Sequence, residues 1–93
     1  VNRYFLDARD MQHPYPLERA IAILRELDSS SYLYMLHRKY PTPLIALANE
    51  HNLNHKSLQI AKEWHILITP NQNVKLEEYI KEDICLDNSK DYH

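Results

Sequence analysis

The stretch LDARDMQHPYPLERAIAILREL, residues Leu6–Leu27, decides the fold, because a strand-like run ends inside it and an amphipathic helical run begins. Leading into it, residues Arg3 to Ala8 alternate, with Tyr4, Leu6 and Ala8 on one face and Phe5 and Asp7 on the other. That is the pattern of a partly buried strand. Beyond it, Pro16 suits the first position of a helix, and Leu17, Ala20, Ile21, Leu24 and Leu27 recur at helical spacing. Glu18, Arg19, Arg25 and Glu26 take the wet side of that helix. His13 stands at the junction, held between the end of the strand and two prolines.

The remaining chain repeats the alternation of elements. Asp28 to Ser31 break the first helix, and the aromatic run YLYMLH from Tyr32 reads as a second strand. A second helix follows RKYP, with Thr42 as its expected cap, Pro43 in the first turn, and Leu44, Leu47, Ala48 and His51 on one stripe. Asn52 closes it. SLQIAKEWHILIT reads as a hairpin turning near Ala61 to Glu63, with Trp64, Ile66 and Ile68 on one face of its second arm. Pro70 ends that arm, and Leu76, Tyr79, Ile80 and Ile84 form one stripe of a short terminal helix. Disorder is expected from Asp87 to His93.

The helical crossover makes the first two strands parallel, and its right-handedness places both helices on one face of the sheet. The fold class is α+β: a two-layer α/β sandwich of order βαβαββ plus a C-terminal helix. Residues 1–70 form the domain, and 71–93 the helix and a flexible tail. With both helices on one face, Tyr32 and Tyr34 are expected to be exposed on the other, and His65 to be a solvent-face residue.

Composition removes several functions. Eleven Lys and Arg stand against thirteen Asp and Glu, a net charge of −2 with no basic run, so nucleic acid is not an expected partner. No apolar run is long enough to cross a bilayer, and VNRYFLDAR lacks the features of a signal peptide, so a cytoplasmic protein without membrane contact is expected. Glycine is absent, which rules out phosphate loops and dinucleotide fingerprints that depend on it. The single cysteine, Cys85, has no partner for an internal disulfide.

The opening LDARDMQHPYP resembles that of TusA and SirA type sulfur carriers, in which Leu-Asp-x-Arg leads to Cys-Pro-x-Pro. LHRKYPTPLIALANEHNLNHKS is more similar to a sister family of unknown function, which has a His-Arg-x-x-Pro-x-Pro-Leu stretch after its second strand. The resemblance covers about residues 3–70. It implies a mixed four-stranded sheet in the order 1-2-4-3. The persulfide-bearing cysteine of the carriers is His13 here, and an imidazole cannot replace a thiolate in sulfur exchange.

Parallel strands bring both strand-to-helix connections to one rim, where open α/β sheets bind ligands. Arg9, Asp10, His13 and Tyr15 come from one connection, and His37, Arg38 and Tyr40 from the other. A protein partner or a small anion is the expected guest, the helix amino ends and two arginines favouring negative charge. His51 and His55 are four apart, but Asn52 and Asn54 interrupt the helix a shared zinc would need, so no metal site is assigned. No serine sits on a sharp strand-to-helix turn, and Asp7 and Asp10 form only a lone acidic pair that could face the rim, so an enzyme is left open but unsupported, and no cofactor is assigned. The leading expectation is a small binding or adaptor domain. The alternatives are a sulfur or redox carrier and a histidine-based metal-binding accessory of respiratory metabolism.

Overall fold

The computed structural model describes residues 2–12 and 14–81. Its elements are β1 (Asn2–Asp7), α1 (Tyr15–Leu24), β2 (Ser31–His37), α2 (Thr42–Glu50), β3 (Asn54–Ile60) and β4 (Glu63–Thr69), followed by a helix over residues 76–81, α3. The four strands form one mixed sheet in the order β1-β2-β4-β3. β1 runs parallel to β2, and β4 is antiparallel to both β2 and β3.

The first face of the sheet carries the larger core. Leu6 and Ala8 of the first strand and its continuation, Leu33 and Met35 of β2, and Ile66 and Ile68 of β4 pack against Ala20 of α1 and Leu44, Ile45 and Ala48 of α2. Both helices therefore cover one face, as a right-handed crossover requires. Within α2 the buried stripe includes Ile45, whereas His51 is exposed beyond the last turn.

Thr42 is the first residue of α2 and not its cap; the capping position is Pro41, and no side chain caps the helix. The Thr42 N–H donates to the Tyr40 carbonyl at 2.9 Å and Pro43 has no N–H to satisfy, so of the first three helical positions only Leu44 offers a donor to a cap, and proline at the capping position has no side-chain oxygen to accept it. Pro16 similarly follows Tyr15, the first residue of α1. At the other end of α2, Asn52 adopts φ 55°. The Leu53 N–H reaches the Ala48 carbonyl at 2.8 Å and the Asn52 N–H reaches the Asn49 carbonyl at 3.2 Å. These two bonds form a Schellman motif, with asparagine in the place glycine usually takes. The turn sends the chain into β3 at Asn54, ahead of the SLQI run that marks a strand in the sequence.

The hairpin between β3 and β4 is closed by the Ile60–Glu63 pair, leaving Ala61 and Lys62 as a two-residue loop. Ala61 has φ 57°, a left-handed conformation that costs a residue with a Cβ about 1–2 kcal/mol. In a chain without glycine, one tight turn carries that strain.

The second face of the sheet differs from the sequence expectation. Tyr32 and Tyr34 are 4% and 1% exposed, and they join Leu36, Leu67, Leu76 and Ile80 in a second core cluster. The appended α3 lies on this face, with Val74 and Tyr79 packed at the edge of the cluster. His65, expected in solvent, is buried here too, with Nδ1 2.7 Å from the Tyr34 hydroxyl and the two rings stacked. Strand alternation placed these side chains on the face away from α1 and α2, where Leu76 and Ile80 of α3 pack into the cluster. Asn54 helps fix the approach to α3, its side-chain amide donating to the Asn71 and Val74 carbonyls. Ile84, Cys85 and the tail from Asp87 to His93 lie outside the described residues.

Candidate functional site

The register of β1 on β2 pairs Asp7 with Leu36, so the residues that leave the sheet after each strand emerge side by side. Both following helices begin at this rim. Between them is a cavity of about 510 Å³ with an apolar lining of Met11, Pro16, Leu17, Met35, Pro43 and Leu44. Arg9, Gln12, His37, Arg38, Lys39 and Tyr40 supply the polar part of its wall and mouth.

Of the seven rim residues named from the sequence, Arg9, His37, Arg38 and Tyr40 line the cavity. Asp10 is exposed and touches it only through Arg38, whose Nη2 lies 3.3 Å from its Oδ1. Tyr15 is exposed at the start of α1 and is not part of the lining. His13 lies outside the described residues.

The two arginines are occupied. Arg9 donates through Nε and Nη2 to the two oxygens of Asp7, at 2.9 and 2.7 Å, and through Nη1 to Glu63 at 3.0 Å. This forked geometry lowers the Asp7 pKa and raises that of Arg9. Because Glu63 opens β4, Arg9 ties the β1 connection to the hairpin. The Arg38–Asp10 pair, by contrast, is exposed on both sides, and such pairs contribute at most about 1 kcal/mol. It can open for a partner. Lys39 has no ion pair among the described residues.

His37 is half-buried at the end of β2, and its Nδ1 accepts a hydrogen bond from the Lys39 backbone N–H at 3.2 Å. Burial, and then the Lys39 charge, lower its pKa below the ordinary 6.5. The ring is neutral near pH 7, and with Nδ1 accepting, its proton sits on Nε2. The rim therefore offers a neutral imidazole donor rather than a third fixed cation.

Sequence reasoning missed Glu63, Trp64 and Lys39. Trp64 packs at the margin of the first core, its ring 4.9 Å from that of Tyr40 in an edge-on contact that braces the mouth. β4 runs antiparallel to β2, so its first residues arrive at the same rim; the strand order contained that signal. His51 and His55 stand apart from one another in role: His51 is the C-cap residue of α2, and His55 on β3 bonds Asn49 Oδ1 at 2.8 Å. Among the described residues no group of three or more His, Cys, Asp or Glu side chains is arranged to hold a metal ion.

No family model, curated protein or solved structure matches the chain. No described helix is long and apolar enough to cross a membrane.

Proposed function

We propose that this chain is a small cytoplasmic binding or adaptor domain of sulfur-carrier-like descent, which holds a segment of a protein partner in the cavity at the rim. The observation that carries this reading is the apolar cavity between two helix amino ends, with a cationic lip at Arg38 and Lys39. Arg9 is committed to two carboxylates, so a small anion finds no free guanidinium fork there. An apolar side chain of a partner gains more from the Met11, Leu17, Met35 and Leu44 lining, because binding sites of this kind draw affinity from apolar burial and orientation from a few polar groups. An acidic neighbour in the same segment would replace Asp10 on Arg38 and reach Lys39. Sulfur transfer by the mechanism of the resembled carriers lacks its thiolate at this rim, because the motif position carries His13.

Selection of short peptides from a random displayed library on the purified chain tests the reading. Peptides that pair an apolar with an acidic residue should be enriched. Their binding should weaken about tenfold in Tyr40→Ala, which removes the wall braced by Trp64, and severalfold in Lys39→Glu. Lys75→Glu, remote from the rim, should leave it unchanged. Failure to enrich any peptide, or peptides that bind the rim variants as tightly as the parent, would remove the rim as the working surface.

A further inference from the structure

β3 ends the sheet, with no described strand on its outer side. Edge strands are usually protected by proline, bulges, short length or unpaired charge. β3 has little of this. It is seven residues long, pairs with β4 without interruption from Asn54 to Ile60, and contains no proline. Its single charge, Lys56, is engaged by Glu77 at 3.6 Å. Leu58 and Ile60 are each 40% exposed. The opposite edge, β1, carries Arg3 and Asp7, with Arg9 and its ion pairs directly beyond.

The hairpin fixes which backbone groups of β3 face outward. In a two-residue hairpin the closing pair exchanges its N–H and C=O groups, and these inward pairs then alternate along the ladder. Ile60 closes the loop, so Ile60, Leu58, Lys56 and Asn54 direct their backbone groups to β4. Gln59, Ser57 and His55 direct theirs away from the sheet. These three positions are symmetric about Ser57.

We infer that two copies of this chain associate through antiparallel pairing of β3 with its counterpart, about a twofold axis at Ser57, to give a continuous eight-stranded sheet. In this register Ser57 faces Ser57 of the second copy, and His55 faces Gln59, so all three outward residues of each strand exchange backbone hydrogen bonds. Their side chains share the α1–α2 face, where the cross-strand pairs are polar on polar. On the other face Leu58 lies opposite Lys56 of the second copy, whose aliphatic stem covers it. The register sets no like charges directly opposite one another; the two Lys56 side chains are diagonal neighbours across the axis, and each has Glu77 of its own copy beside it. A second copy therefore fits this edge without the repulsion that charged edge strands use to prevent pairing.

The test is sedimentation equilibrium of the full chain over a wide concentration range, with hydrogen exchange on the same samples. The 11.1 kDa monomer should approach twice its mass as concentration rises, and the amides of His55, Ser57 and Gln59 should gain protection in parallel. Ser57→Pro removes an outward N–H and no bond to β4, so it should abolish association while circular dichroism shows the fold retained. Leu58→Lys sets lysine against Lys56 of the second copy at two symmetric positions and should weaken association at least tenfold. Leu58→Glu sets a carboxylate there and should preserve or strengthen it. A chain that remains monomeric at about 1 mM, a dimer indifferent to Ser57→Pro, or equal responses to Leu58→Lys and Leu58→Glu would overturn the proposal.

Discussion

At the scale of single residues, charge pairing concentrates where β1 leaves the sheet. Asp7 accepts two charge-assisted hydrogen bonds from the Arg9 side chain and a third bond from the Arg9 backbone N–H at 3.2 Å. These bonds, led by the side-chain contact, hold its pKa below the ordinary 3.8. A carboxylate with a depressed folded pKa contributes stability above its unfolded pKa and loses that contribution as pH falls through the folded value. Asp7→Asn should therefore lower the urea midpoint at about pH 6 by an amount equivalent to no more than about 1 kcal/mol, the pair being substantially exposed. The difference from the parent chain should shrink below about pH 4 and vanish once the parent Asp7 is itself protonated. A difference that persists undiminished at low pH would show that the asparagine acts through packing and not through charge. The sequence placed Asp7 at the end of the first strand, in the Leu-Asp-x-Arg stretch, but not in an ion pair with Arg9. Glu63, the other carboxylate on Arg9, is more than fifty residues away, and only the return of β4 to the rim brings the two to the same arginine.

At the scale of elements, the order of strands and helices could be read from short-range patterns because each element carries its own period. The parallel β1–β2 pair, the two helices on one face and the hairpin all follow from that alternation and the handedness of the crossover. The second face could not be read in the same way. Its exposure was inferred from where α1 and α2 lie, whereas α3, with only a short apolar stripe, covers it. A signal was present in β2 itself: from Tyr32 to Leu36 no polar residue alternates with the apolar ones, as happens in strands covered on both faces. Leu76 and Ile80, 3% and 2% exposed, are the pieces of α3 that enter this cluster. Truncating either to alanine should cost about 2–4 kcal/mol, the usual range for a buried aliphatic residue, and reduce the midpoint of urea unfolding accordingly. Glu77→Ala and Glu78→Ala, on the exposed side of the same helix, should fall within about 0.5 kcal/mol of the parent. A small loss at Ile80 and Leu76 would mean that Tyr32 and Tyr34 do not depend on α3 for their burial.

At the scale of the whole molecule, the two core clusters share the same central strands. β2 sends Leu33 and Met35 into one cluster and Tyr32, Tyr34 and Leu36 into the other, while β4 divides Ile66 and Ile68 from Leu67 in the same way. Neither face can lose its covering helix without exposing one side of strands that the other face also needs. In a domain of 93 residues the stability margin is too small for half of the core to stand alone. The two faces should therefore unfold together. Trp64 sits at the margin of the first cluster and Tyr32 and Tyr34 lie within the second, so tryptophan fluorescence and the assigned ring NMR signals of Tyr32 and Tyr34 report the faces separately. Their urea transitions should coincide in midpoint and slope, and Leu44→Ala on the first face should shift both by the same amount as it shifts either one. An earlier tyrosine transition, with the tryptophan signal unmoved, would show α3 and its cluster to be a separate and weaker unit, detaching from a sheet that stays folded beneath α1 and α2.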